Sequence, residues 1–105
     1  MLKSATVFIL VLLSLTSFAD EPTDEKKAAE IYEQTCIICH GEGMHGAPRP
    51  GIKPDWEQRL TYGVEDMYLN TIEGIGIEMP PKGMCSDCSD EQIRAVVDFM
   101  LKGVR

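Results

Sequence analysis

Positive charge, long hydrophobic runs and repeated segments are all scarce in this 105-residue sequence. It has 10 Lys and Arg residues against 17 Asp and Glu residues, and its formal net charge is -7. This balance argues against a nucleic-acid binder, because gripping phosphates requires a basic surface. The composition is typical of neither a disordered nor a collagen-like chain. The length allows one domain and leaves little room for a second.

The apolar stretch near the N-terminus is too short to cross a bilayer. It extends from Ala5 to Leu15, whereas a membrane span needs about 18 to 20 apolar residues. A positive start precedes it and the small residues Ser17 and Ala19 follow it, which is the three-part pattern of a secretory signal peptide. We therefore predict a signal peptide at residues 1–19, with an uncleaved anchor as the alternative.

Residues 20–105 would then form one exported domain in the periplasm, an oxidising compartment in which thiols do not stay free for long. No cysteine directly follows the cleavage point, so a lipid anchor has no acceptor thiol there. A domain of this size buries only about 60% of its unfolded surface and is marginally stable alone. A disulfide, a metal or a cofactor usually supplies the missing stability.

The sequence predicts an all-α fold of three to five helices, since no segment is a convincing strand. Helices are expected from Asp24 to about Ile38, from Pro54 to Leu60, and from Val64 to Glu73. Residues 41–54 and 74–88 are rich in glycine and proline and are predicted to be loops. Loops this long in so small a domain require something to order them.

The last helix has the clearest signals. Ser89 and Gln92 have the spacing of a capping box, in which each side chain bonds the backbone N–H of the other residue. An apolar stripe follows at helical spacing and Gly103 ends it. The stripe consists of Ile93, Val96, Val97, Met100 and Leu101.

The segment Cys36-x-x-Cys39-His40 is the attachment motif of c-type haem. Residues three and four apart share a helix face, so both thiols can form thioethers with the vinyl groups on one porphyrin edge. His40 then points at the iron from the same turn. We therefore predict one covalent haem c, attached through Cys36 and Cys39, with His40 as an iron ligand.

Three other uses of the cysteines explain the sequence less well. A zinc site formed with Cys85 and Cys88 would need a much shorter stretch between the two pairs, and a thioredoxin-like pair would need a βαβ context. Two local disulfides would leave the loops without a core. None of the three explains why His40 follows Cys39 directly.

Met79 is the predicted second axial ligand of the iron, because His plus Met is the usual pair in electron-transfer cytochromes. Two prolines follow it and stiffen the loop that carries it. Met84 and His45 are the alternatives. The other methionines are disfavoured by position: Met1 leaves with the signal peptide, Met44 is too close to His40, and Met67 and Met100 belong to helices.

Further residues are predicted to support the haem. A ligating His usually donates its other ring N–H to an acceptor, here the Pro48 carbonyl. Trp56 and Arg59 lie three apart on one helix, where they would reach a haem propionate. Two more cations are candidates for the same role, although a solvated surface charge explains them better: Arg49 and Lys53.

Cys85 and Cys88 are close enough in sequence to bridge locally, with a catalytic dithiol as the alternative. A bridge closing so short a loop would stabilise the fold modestly. It would shape the turn between the Met79 loop and the last helix.

At these residues the chain resembles class I c-type cytochromes of the cytochrome c5 type. The resemblance covers nearly all of residues 20–105. Its most specific part is the second C-x-x-C, at Cys85 and Cys88, followed by Ser-Asp-Glu. The other features that carry it are Ile31-Tyr32 before the haem motif, Gly46-Ala47-Pro48, Trp56-x-x-Arg59 and Met79-Pro80-Pro81-Lys82-Gly83.

The resemblance implies a small helical fold around one haem, with the first and last helices crossing. It implies His40 and Met79 as axial ligands and a disulfide between Cys85 and Cys88. Two departures are visible: Ala28 stands where the family often has Gly, which predicts a slightly wider helix crossing, and Met84 replaces a Gly before Cys85.

The function that the resemblance implies is single-electron transfer in a bacterial respiratory chain, by a carrier and not an enzyme. Redox partners would dock transiently at the haem edge. The negative charge predicts salt-sensitive association with a basic partner surface. The rival interpretation is a haem enzyme or a gas or redox sensor, which would leave the sixth iron position open.

Overall fold

The described part of the chain, residues 24–105 together with Ile9 and Val11, folds into helices joined by long loops in this computed structural model. The predicted signal peptide therefore lies outside the described residues, apart from Ile9 and Val11. Within the part that is described, no helix combines the length and the hydrophobicity needed to cross a membrane.

Within residues 24–105, five α-helices form the framework: α1 (Asp24–Ile31), α2 (Ile37–His40), α3 (Lys53–Leu60), α4 (Val64–Glu73) and α5 (Asp90–Met100). A π-helical segment, Tyr32–Cys36, joins α1 to α2, and single 3-10 turns lie at Met44–Gly46 and Pro81–Met84. The described residues contain no strand, only an isolated antiparallel bridge between Ile75 and Met79. The prediction of an all-α fold is confirmed.

The first helical stretch is longer than predicted and contains an irregular turn. It continues through His40, where the sequence predicted an end near Ile38. The π-helical turn inserts one extra residue per hydrogen-bonded ring, and such turns occur frequently at functional sites. Here the π-helical turn ends at Cys36, the first residue of the haem motif.

Packing of α1 against α5 forms the centre of the molecule, and α4 packs on α5 beside it. Ala28 is 1% exposed, so its methyl group is fully enclosed in this helix pair. The Tyr32 and Phe99 rings meet at a centroid distance of 5.4 Å. The buried apolar core also contains Ile31, Trp56, Met67, Ile93, Val96, Val97, Met100, Leu101 and Val104.

The N-terminus of α5 has the predicted capping box. The Ser89 hydroxyl accepts the Gln92 N–H at 3.1 Å, and the Gln92 side-chain oxygen accepts the Ser89 N–H at 2.9 Å. These bonds satisfy two backbone donors that a helix start otherwise leaves unpaired. They fix the point at which α5 begins, immediately after the Cys85–Cys88 turn.

We expect Ser89→Ala to lower the free energy of unfolding by about 1 kcal/mol, because the Gln92 N–H loses its acceptor. Ser89→Asp keeps an acceptor oxygen and should remain close to wild type. Denaturant unfolding followed by circular dichroism measures both. Equal loss in the two variants would contradict a capping role.

Candidate haem site

The haem motif occupies the end of the first helical stretch. Cys36 ends the π-helical segment, while Cys39 and His40 lie in α2. Cys36 and His40 are buried and Cys39 is partly buried. Among the described cysteines these two are the ones with free thiols. Because their positions are three apart on one helical turn, both thiols are presented on one side of the chain.

The His40 ring is fixed by a single backbone contact. Its Nδ1 lies 2.8 Å from the Pro48 carbonyl oxygen. A carbonyl oxygen can only accept, so Nδ1 carries a proton, and in the neutral ring Nε2 is then the nitrogen with the free lone pair. This is the predicted acceptor, and it leaves the ring in the tautomer that a metal ligand requires. His40 is only 8% exposed, so the surrounding side chains also restrict the ring.

Thr35 holds the turn that precedes the first cysteine. Its hydroxyl donates to the Ile31 carbonyl at 3.1 Å and lies 3.4 Å from the Cys36 sulfur. Burial raises the pKa of the Cys36 thiol, against a smaller opposite effect of the Thr35 hydrogen bond. The thiol is therefore protonated at neutral pH. The contact of Thr35 with the Cys36 sulfur was not predicted from the sequence.

Met79 lies close to Cys36 although 43 positions separate them in the sequence. The Met79 methyl carbon and the Cys36 sulfur are 3.8 and 3.7 Å from the point that a Cβ on Gly83 would occupy. A side chain at Gly83 would therefore contact both groups. The fold brings the predicted second iron ligand to the haem motif.

The loop carrying Met79 is closed by a tight backbone approach at Gly74. The Ile75 N–H donates to the Met79 carbonyl at 2.8 Å. A Cβ on Gly74 would lie 2.9 Å from both the Met79 oxygen and the Pro81 nitrogen, and the φ angle of 83° disfavours other residues. The sequence predicted Gly74 as the end of α4, whereas its role in the loop closure was not predicted.

Within the described part of the chain, the remaining methionines and His45 are either core residues or exposed. Met67 and Met100 are core residues at 7% and 3% exposure, as their helical positions predicted. Met44 and Met84 are 48% and 79% exposed. His45 is exposed in the 3-10 turn that follows the motif.

Cys85 and Cys88 form a disulfide in the structure, with their Cα atoms 5.4 Å apart. Both sulfurs are thereby unable to ligate zinc, and the described residues contain no cluster of three or more His, Cys, Asp or Glu suited to a metal ion. The turn they close connects the Met79 loop to α5. The zinc interpretation therefore has no geometric support.

The predicted propionate donors brace the proline loop in this structure. The Trp56 indole N–H donates to the Arg49 carbonyl at 2.7 Å. Arg59 donates to the Asp55 carbonyl at 2.7 Å and to the Gly46 carbonyl at 3.4 Å. These contacts hold the segment that includes Pro48, and a role at a propionate stays a prediction for both side chains. Lys53 is an exposed residue at the start of α3.

Arg49 is engaged by a carboxylate. Its guanidinium donates to both Asp55 side-chain oxygens, at 2.8 and 3.2 Å, and its backbone N–H donates to one of them at 3.1 Å. Hydrogen bonding by Arg49 lowers the pKa of the Asp55 carboxyl to about 2. Asp55 thus stays ionised at neutral pH and pins the loop to α3.

The donor set as a whole fits a c-type haem. It offers two free thiols on one turn, an imidazole with its Nε2 lone pair available, and a thioether beside the first thiol. The thiols would attach haem c covalently, and the imidazole and the thioether would ligate its iron. The sulfur groups also suit a buried site, because thiols and thioethers are only weakly polar and are tolerated in apolar surroundings.

Comparison with known proteins gives cytochromes both among family models and among single proteins. The family model for the cbb3-type cytochrome c oxidase subunit III matches residues 23–100. Cytochrome c5 of Ectopseudomonas mendocina is 38% identical over 71% of this chain and 87% of that protein.

Solved structures agree with this relationship. The chain is similar to a monohaem ferrocytochrome c from Shewanella putrefaciens, with 42% identity, a TM-score of 0.61, and 70% of this chain and 89% of that one covered. A chain from an electron transfer complex of nitrite reductase with cytochrome c gives 29% identity and a TM-score of 0.67, over 75% of this chain and 95% of that one. The chain therefore belongs to the class I c-type cytochromes of the c5 type, which carry electrons on covalently bound haem c and are not enzymes.

Proposed function

We propose that the chain carries single electrons on one haem, attached through Cys36 and Cys39 and ligated by His40 and Met79. The observation that carries the proposal is that the Met79 methyl carbon and the Cys36 sulfur both lie within 3.8 Å of the point that a Cβ on Gly83 would occupy. It supports a site with one ligand from the haem motif and one from the distant loop. The bound haem iron supplies a one-electron couple between ferric and ferrous states.

The chain's own residues keep that couple reversible by holding both ligands still. The Pro48 carbonyl fixes the His40 ring and its proton. The Ile75–Met79 bridge and the two prolines that follow restrict the thioether. Since both ligands are held before and after transfer, little reorganisation accompanies the change of charge. Transfer then needs no bond to form or break.

We also propose that residues 1–19 are a cleaved signal peptide and that residues 20–105 work as one domain in the periplasm. The charge and hydropathy pattern of the first 19 residues supports export. The disulfide between Cys85 and Cys88 is consistent with an oxidising compartment.

The partners are proposed to be redox proteins of a respiratory chain that dock transiently. The similarity to a cytochrome c in complex with nitrite reductase supports a partner of this class. The formal net charge of -7 favours a partner with a basic docking surface.

Stopped-flow oxidation of the reduced chain by a basic redox protein tests the proposal. We expect one electron per polypeptide and a rate that falls as ionic strength rises, because salt screens the attraction between the two surfaces. The same experiment with an acidic redox protein is the control and should give the opposite salt dependence. A rate independent of salt would contradict charge-guided docking. A reduced chain that binds carbon monoxide rapidly would favour an open site and a sensor or enzyme.

A further inference from the structure

Lys82 joins the two ends of the loop between Met79 and α5. Its ammonium group donates to the Cys88 carbonyl at 2.8 Å and lies 3.3 Å from an Asp90 carboxylate oxygen. Both acceptors lie beyond the first cysteine of the disulfide turn. The side chain therefore spans the turn and ties its far side to the loop.

The backbone of this segment needs such a tie. Lys82, Gly83 and Met84 have φ angles of 55°, 58° and 70°. Two of the three carry side chains, and residues with a Cβ rarely adopt this left-handed conformation. A backbone of this kind persists only where its surroundings hold it. The Cys85 N–H, which donates to the Lys82 carbonyl at 3.0 Å, gives one such restraint, and the Lys82 ammonium gives another.

The restrained segment lies beside the candidate ligand. Gly83 follows Lys82 directly, and a Cβ built on it would lie 3.8 Å from the Met79 methyl carbon and 3.7 Å from the Cys36 sulfur, which is ordinary contact distance. The Gly83 N–H also donates to the Pro80 carbonyl at 3.0 Å, which closes the turn after Met79. A shift of Lys82 would therefore move the backbone that lies beside the Met79 side chain.

We propose that Lys82 is a positioning residue for Met79: its ammonium group, bonded to the Cys88 carbonyl, keeps the loop closed and the thioether in place. The proposal rests on the assignment of Met79 as the second iron ligand. The bond is made by a charged donor that is only partly exposed, and such bonds are stronger than neutral ones. The Asp90 contact adds little, since that carboxylate is more than half exposed.

Imidazole binding to the ferric holoprotein tests the role of Lys82, because added imidazole must first displace the internal ligand. Its apparent affinity thus reports the fraction of molecules with the loop open. We expect Lys82→Met to bind imidazole about tenfold more tightly than wild type, and Lys82→Arg, which retains a charged donor, to stay near wild type. Lys27→Met removes the same charge from an exposed residue of α1 and should leave the affinity unchanged.

A double-mutant cycle shows whether Lys82 acts through the disulfide turn. With Cys85→Ala and Cys88→Ala already present, Lys82→Met should add much less than its tenfold effect, because its acceptor is no longer held. If Lys82→Met still raised the imidazole affinity tenfold in that background, Lys82 would not act through its hydrogen bond to Cys88, and the proposal would be overturned. Asp90→Asn should raise the imidazole affinity much less than Lys82→Met does. A tenfold rise in Asp90→Asn would show that Lys82 acts through its ion pair with Asp90, and not through the Cys88 carbonyl.

Met79→Ala separates failure of this proposal from failure of the ligand assignment. If Met79→Ala binds imidazole strongly while Lys82→Met matches Lys27→Met, the positioning role of Lys82 is overturned and the ligand assignment stands. If Met79→Ala binds imidazole as weakly as wild type, the ligand assignment fails and the role of Lys82 fails with it.

Discussion

Replacement of Met79 by alanine should open the sixth iron position and lower the reduction potential by something on the order of 0.1 V or more, since axial ligands set haem potentials over a range of about 0.8 V. A thioether stabilises ferrous iron relative to ferric iron, so its loss favours the oxidised state. Spectra of the variant should show high-spin features, and the reduced variant should bind carbon monoxide rapidly. Potentiometric titration and absorption spectroscopy measure these effects.

Two methionine variants provide matched controls for this result. Met84→Ala removes the nearest alternative in the sequence, an exposed residue five positions later, and Met44→Ala removes the exposed methionine near His45. Both should keep the wild-type spectrum and potential. If Met84→Ala opened the sixth iron position and Met79→Ala left it closed, Met84 would be the ligand and the assignment of Met79 would be wrong.

Loss of both haem-attaching thiols should have the largest effect on the fold. In the variant with Cys36→Ala and Cys39→Ala we expect a chain without covalent haem and with most of its helical signal lost at 25 °C. The domain is small, and small domains that depend on a bound group unfold without it. Intact mass after denaturation and far-ultraviolet circular dichroism measure the two effects.

The other cysteine pair is the natural control. With Cys85→Ala and Cys88→Ala the haem should stay attached and the helices should stay folded, with a modest loss of stability, because that bridge closes a very short loop. Covalent haem retained in the Cys36 and Cys39 variant, or lost in the Cys85 and Cys88 variant, would contradict the division of roles between the pairs.

Local signals explain which elements could be predicted from the sequence. The bounds of α4, Val64–Glu73, were predicted because Gly63 and Gly74 flank it, and the start of α5 was predicted because the capping box lies within four residues. The C-x-x-C-H motif is equally local. Its hydrogen bond to the Pro48 carbonyl spans only eight positions, so the proline loop could be expected to supply it.

Long-range contacts explain what could not be predicted. The π-helical turn Tyr32–Cys36 depends on how α1 and α2 meet the rest of the fold, and helical periodicity alone suggests a regular helix there. The approach of Met79 to Cys36 depends on Gly74 and Gly83, whose close contacts exist only after folding.

The same limit applies to Trp56, because its sequence position is compatible with more than one acceptor. The three-residue spacing from Arg59 predicts a shared propionate partner, which stays a prediction, and the hydrogen bond from the indole N–H to the Arg49 carbonyl was not predicted. That choice depends on the loop conformation set by Arg49 and Asp55. Side-chain type identifies a hydrogen-bond donor, but the tertiary fold selects its acceptor.

Covalent attachment of one haem and closure of its iron by two ligands can be tested together on the purified wild-type protein, by intact mass under denaturing conditions and absorption spectra of the oxidised and reduced forms. We expect a polypeptide heavier by one haem, with low-spin, six-coordinate iron in both states and no rapid binding of carbon monoxide. The mass of the bare polypeptide would contradict attachment at Cys36 and Cys39, and high-spin iron would contradict a site closed by His40 and Met79.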